Sequence, residues 1–83
     1  MDDEQDGEIT ASQIRAARAL LGWSQVEMAN RCEVSHNTVS RLEATGKLPG
    51  RRILRDIVDA FESEGVEFVN KGPSIGVVLR RAV

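Results

Sequence analysis

SQVEMANRCEVSHNTVSRLE, residues 24–43, holds two short amphipathic segments with almost nothing between them. Each opens on a serine with an apolar residue just before it and another four positions after it: Trp23, Ser24 and Met28, then Val34, Ser35 and Val39. A serine hydroxyl can accept from the free amides of a helix's first turn while the flanking apolar pair staples the entry, so each serine reads as a helix start. Glu27 is expected to complete a capping box with Ser24; the second start has the staple but no acidic or amide residue to close a box. Helices are therefore predicted over about residues 25–32 and 36–44, joined only by Glu33 to Ser35.

The same start signal occurs once more upstream, as Ile9, Thr10, Gln13 and Ile14, and predicts a helix over about 11–21. Gly22 and Gly46 stand where helices need a left-handed stop. Ile14, Ala17 and Leu21, then Met28, Ala29 and Cys32, then Val39 and Leu42 form apolar stripes at helical spacing and should meet in one core. Beyond the loop TGKLPG, a fourth helix of about 51–63 has a wide apolar face of Ile53, Leu54, Ile57, Val58 and Phe61, and Gly65 is expected to end it. The period then changes to alternation: VEFVN (66–70), a turn KGPS and IGVVLRR (75–81) read as a β-hairpin. The expected fold class is mainly α, four helices with a C-terminal β-hairpin. Residues 1–8 are read as an acidic tail, 9–64 as the helical domain and 65–83 as the hairpin. The hairpin holds more apolar surface than one face needs, and Val66, Phe68, Ile75, Val77 and Leu79 are its expected dimerisation residues.

Size and composition narrow the functional classes. A chain of 83 residues with 41% hydrophobic content supports one small domain with a marginal core, which dimerisation would supplement. The single cysteine, Cys32, falls on an apolar stripe, so it reads as a buried small hydrophobe; neither a disulfide framework nor a zinc pattern is present, which points to a reducing compartment. No apolar run approaches the ~20 residues of a membrane span. The start MDDEQDGE is acidic where a signal peptide would be basic, so a soluble cytoplasmic protein, associated with the nucleoid if it binds DNA, is expected. The net charge of −2 argues at first against nucleic acid, yet five of the 13 acidic residues lie in that octet. Residues 9–83 carry 11 basic against 8 acidic side chains, a net of +3. The octet cannot bury enough apolar area to fold and is expected to be a disordered, solubilising tail, the less favoured alternative being a tail that competes with phosphate for the basic face.

A connection of three residues between two helices has the spacing of a helix-turn-helix, whose tight turn sets the second helix outward. At about 100° per residue, His36, Asn37, Ser40 and Arg41 share an arc of about 140°, with Val39 and Leu42 roughly opposite. Arg41 can donate two parallel hydrogen bonds to guanine, Asn37 can pair bidentately with adenine, and Ser40 or His36 can reach a base edge or a phosphate. No acidic side chain in the arc would repel the flanking phosphates. Taken alone, the arc is equally compatible with an ordinary solvated helix face. Catalysis is not expected: the only histidine has no carboxylate placed to orient it. No carboxylate pair, glycine-rich phosphate loop, metal set or cofactor motif is present, and no small-molecule ligand is evident.

These residues resemble the helix-turn-helix of the phage-repressor and Cro-like transcriptional regulators, the XRE family: Gln25 at the start of one helix, Ala29 where the helices touch, Val34 in the turn, Val39 and Leu42 facing inward, and the ending SRLE. The resemblance covers about residues 9–64, and the trailing GVEF and GVVLR look like the C-terminal hairpin of a bacterial subgroup. It implies that Ser24 and Gln25 anchor a backbone phosphate, with Ser35, Thr38, Lys47 and Arg51 in the same phosphate-binding set. Arg52 and Arg55 could join that set or be solvated surface. His36, Asn37, Ser40 and Arg41 match the recognition positions, and Arg18 with Glu43 match a structural ion pair. The implied partner is a pseudo-palindromic double-stranded DNA operator bound by a homodimer, with repression as the default, autoregulation a usual habit, and activation by contact with RNA polymerase, or a dual repressor and activator role decided by operator position, as the alternatives. The alternative is an antitoxin that pairs with a toxin protein and autoregulates its operon. Glu33 departs from the pattern, standing where many members have glycine, so the turn must adopt a left-handed residue at roughly 1 kcal/mol or a different geometry. No domain for sensing an effector is evident.

Overall fold

The computed structural model describes residues 8–81, and in it the chain forms α1 (Ala11–Leu21), α2 (Gln25–Cys32), α3 (His36–Thr45), α4 (Arg51–Ser63), β1 (Val66–Lys71) and β2 (Ser74–Leu79). This is the expected mainly α architecture with a two-stranded antiparallel hairpin. Except for Glu8, the acidic octet lies outside the described residues.

The local signals act largely as anticipated. Thr10 caps α1 in a complete box: its hydroxyl accepts from Gln13 N–H at 3.2 Å, while Gln13 Oε1 accepts from Thr10 N–H at 2.9 Å. Ser24 accepts from Glu27 N–H at 3.0 Å, but the expected second half of that box is replaced, because the Glu27 carboxylate turns to Arg31 at 3.2 Å. One turn along the helix, a guanidinium is a stronger partner for a carboxylate than a neutral amide. Gly22 and Gly46 close α1 and α3 in left-handed conformations. At the end of α4 the cap is Glu64, with φ −94°, and Gly65 follows at φ 96° to turn the chain into β1.

Phe61, Ile14, Met28, Leu42, Ile57 and Val39 are the largest fully buried side chains, and each contributes about 1.5–3 kcal/mol of hydrophobic stabilisation. The three stripes predicted for α1 to α3 meet in this core, although Leu21 is only half-buried. The apolar face of α4 is narrower than its sequence indicates: Ile57 and Phe61 are buried, Leu54 and Val58 are half-buried, and Ile53 is exposed. Trp23 stacks on Phe61 with centroids 5.3 Å apart, and Phe61 meets Phe68 edge-on at 6.2 Å, so one aromatic chain joins the start of α2, α4 and β1.

The hairpin turn shrinks to Gly72-Pro73, and the strands pair Lys71 with Ser74 through Val66 with Leu79. Gly72 has φ 54°, which suits a two-residue hairpin with glycine at its first central position and proline next. Arg80 and Arg81, expected within the second strand, lie beyond it. Val66, Phe68, Val77 and Leu79 share the face that packs on the helices, with Val66 fully in the core, while Ile75 and Val78 are exposed.

Candidate nucleic-acid interface

The turn between α2 and α3 is resolved in favour of strain. Glu33 takes the left-handed conformation, φ 59° and ψ 43°, the one non-glycine residue with positive φ among the described residues. Glu33 N–H donates to Asn30 O at 3.3 Å and Val34 N–H to Ala29 O at 3.0 Å, the paired bonds of a Schellman stop. That stop, followed at once by the Ser35 cap, ends α2 and starts α3 within three residues.

Val39 and Leu42 hold the inner side of α3 in the core with almost no exposure. On the opposite side His36, Asn37 and Arg41 are exposed and Ser40 is half-buried. The four predicted readers thus lie together on the outward face, and among the described residues the side chains of His36, Asn37 and Arg41 make no hydrogen bond. Ser35 accepts from Thr38 N–H at 3.1 Å, and the two hydroxyls sit 2.8 Å apart, so this pair is organised by the cap itself. Arg41 and Lys47 line one cleft of about 220 Å³ with Thr38, Leu42, Leu48 and Pro49. Thr45 shapes the approach to it: its hydroxyl donates to Arg41 O at 2.8 Å and accepts from Lys47 N–H at 3.1 Å. Arg51, Arg52 and Arg55 are exposed on the first turns of α4, immediately beyond this loop. Arg51 and Arg55 line a neighbouring groove that shares Leu48 and Pro49 with the cleft.

An ion pair fixes the far end of α3. Arg18 donates from Nε to Glu43 Oε2 at 2.6 Å and from Nη2 to Glu43 Oε1 at 2.8 Å, and its Nη1 reaches Trp23 O at 2.9 Å. Arg15 adds a hydrogen bond to the backbone carbonyl of Glu43 at 3.1 Å. Gln25, expected to face a phosphate, donates from Nε2 to Glu43 Oε1 at 3.0 Å, which leaves its second amide N–H for an outside acceptor. Ser24 is exposed at the head of α2. Burial would raise the Glu43 pKa, but hydrogen bonds from Arg18 and Gln25 and the charges of Arg18 and Arg15 outweigh it, and the carboxyl stays below its ordinary value.

Sequence reasoning missed a second buried polar centre. Gln13, 3% exposed, completes the α1 capping box, and the two N–H groups of its Nε2 are shared among three acceptors, Val69 O at 3.1 Å, Asn70 Oδ1 at 2.9 Å and Gly76 O at 2.9 Å. It therefore clasps the hairpin to the first turn of α1. The available signal was Asn70, a polar residue in register with Val66 and Phe68 on the inward face of an alternating strand. Arg31 was also overlooked; its guanidinium lies 5.2 Å from the Trp23 ring centroid and pairs with Glu64 at 3.5 Å.

A family model described as a helix-turn-helix domain matches residues 11–68, from the first residue of α1 into β1. No curated protein matches this sequence.

Proposed function

This chain belongs to the helix-turn-helix domain family, and from that premise we propose that it is a sequence-specific DNA-binding transcriptional regulator of the phage-repressor and Cro-like type. The observation that carries the reading is the two-sided α3: Val39 and Leu42 buried on one side, and His36, Asn37, Ser40 and Arg41 turned outward on the other. A helix presented in this way fits the major groove of B-form DNA, where Arg41 can fork onto guanine O6 and N7 and Asn37 onto adenine N6 and N7. Ser24, Gln25, Ser35, Thr38, Lys47 and Arg51 flank that face and are assigned to backbone phosphates, which set register and supply affinity without reading sequence. Arg18 and Glu43 act as scaffold, holding the reading helix at its angle.

The regulator acts as a homodimer on a pseudo-palindromic operator, its two α3 helices entering successive major grooves about 34 Å apart. Repression by occluding RNA polymerase, including at its own promoter, is the mechanism assigned. The test is a titration against the DNA upstream of its own gene, with random competitor, at two salt concentrations. Tight, sequence-selective and salt-dependent binding with two chains per site is expected. Binding no tighter than to competitor would remove autoregulation from the reading, and copurification with a toxin protein would then favour an antitoxin.

A further inference from the structure

The groove beside the DNA-facing cleft runs along α4 and has a volume of about 690 Å³. Leu48, Pro49, Leu54 and Val58 give it apolar walls. Its charges are ordered along the helix, Arg51 and Arg55 toward the N-terminal end and Asp59 and Glu62 toward the C-terminal end. Leu48 and Pro49 also line the cleft of Arg41 and Lys47, so the basic end of the groove is continuous with it. Glu8 stands at the wall of the same groove, and its carbonyl is held by Asn70 Nδ2 at 3.0 Å. The point at which the preceding segment joins the fold is therefore fixed at the wall of the groove that Arg51 and Arg55 also line.

Residues 1–7 contain Asp2, Asp3, Glu4 and Asp6 and no basic side chain. Seven residues span at most about 25 Å when extended. In a molecule with extents of 34 × 32 × 19 Å, that length is enough to run along the groove toward the adjoining cleft. Tethered carboxylates meet nearby cations at an effective concentration in the millimolar range. Exposed ion pairs of this kind are individually weak and screened by salt, which suits an occupant that must yield to a duplex.

We propose that residues 1–7 form an intramolecular competitor for DNA phosphate, their carboxylates engaging Arg51, Arg55 and Lys47 when no DNA is bound. The inference rests on the DNA-binding reading, and its test separates the two. The full-length chain is compared with a full-length version carrying Asp2→Asn, Asp3→Asn, Glu4→Gln and Asp6→Asn, each with and without Arg51→Gln plus Arg55→Gln, in titrations with random-sequence duplex at low and high salt. The neutralised tail is expected to tighten binding about threefold to tenfold at low salt, with little gain at high salt. The gain should shrink when both arginines are replaced. A gain of undiminished size would overturn the proposal, because it would report only general repulsion between tail and DNA. Amide chemical shifts of residues 47–55, compared between the two tails without DNA, give a second readout. Tail-dependent shifts are expected there, and their absence overturns the contact even where DNA binds normally. Failure of every version to bind duplex would instead refute the DNA-binding reading, and the competition with it.

Discussion

Arg18 grips Glu43 through two parallel donors, Nε to Oε2 at 2.6 Å and Nη2 to Oε1 at 2.8 Å, and so ties α1 to the end of the helix that faces outward. The Glu43 side chain is 8% exposed and that of Arg18 21%, so the pair lies well below the surface class of ion pairs. Glu43→Ala leaves the guanidinium and the Gln25 amide without their acceptor and should cost about 1–3 kcal/mol at neutral pH. Urea denaturation followed by Trp23 fluorescence measures it, and an unchanged midpoint would show that the pair contributes nothing net.

The same carboxyl gives a pH dependence whose sign is fixed. Its pKa in the folded state is below the ordinary 4.5, so its stabilisation is fully present above that value and is lost as pH falls through the folded-state value. Glu43→Gln should therefore be less stable than the parent at neutral pH, with the gap closing on acidification below about pH 4.5. A gap that stays constant from neutral to acid pH would remove Glu43 as its source.

Two positive-φ residues should respond oppositely to substitution. Glu33 carries a left-handed penalty at φ 59°, and Glu33→Gly should relieve it, stabilising the fold by up to about 1 kcal/mol after the entropy of glycine is counted. Gly65, at φ 96°, has no such freedom: a Cβ there would lie 2.6 Å from Arg80 O, whose own N–H donates to Gly65 O at 2.9 Å. Gly65→Ala should cost about 1–3 kcal/mol. Thermal unfolding of both variants checks the pair, and a shift of the same sign in each would contradict the backbone argument.

These contrasts show where sequence reading is strong. Ser24, Ser35 and Thr10 announced their helices because a cap is a local contact, decided within four residues. The outward arc of α3 was legible for the same reason, since the helical period alone sets His36, Asn37, Ser40 and Arg41 opposite Val39 and Leu42. What escaped was long-range competition for polar groups. Gln13 reaches Gly76, 63 positions away, and Gln25 reaches Glu43, 18 away. Glu27 chose Arg31 over its own cap. The partners of Gln13 and Gln25 are selected by packing that no local pattern encodes, whereas the Glu27–Arg31 pair, four residues apart on one helix, was legible and was passed over for the cap.

Cys32 should be chemically silent in the native state. Burial, and then the charge of Asp56, push its thiol up to about 11, so almost no thiolate exists near neutrality. Alkylation by iodoacetamide at pH 8 is expected to proceed only at the rate of unfolding and to accelerate sharply in urea. A native rate close to that of a free thiol would place Cys32 outside the core.

Arg41 and Lys47 share one cleft, yet base readout belongs to the first and phosphate anchoring to the second if the proposed function holds. Arg41→Ala should weaken specific binding by about 1–3 kcal/mol and relax preference at one base pair. Lys47→Ala should weaken all duplexes alike and make the salt dependence shallower by about one unit of slope. Competition titrations with operator and random DNA distinguish them; equal losses on both DNAs from Arg41→Ala would end its assignment as a base reader.

The hairpin offers the sharpest test of dimerisation. Val66, Phe68, Val77 and Leu79 face the helices, so a charge at any of them attacks the fold before it can report on assembly. Ile75 and Val78 are different: they are 57% and 47% exposed, one beyond the helical core and the other on the outer face, opposite Glu67. A two-stranded sheet has two outer edges able to pair with another chain, and exposed apolar side chains near them are an aggregation hazard unless a second copy covers them. If the chain is the homodimer of the proposed function, Ile75→Glu with Val78→Glu should shift the mass in solution from dimer toward monomer while thermal stability changes little at high dilution. Leu79→Glu should instead lower the unfolding temperature at every concentration. An unaltered dimer in the double variant would move the interface off the hairpin.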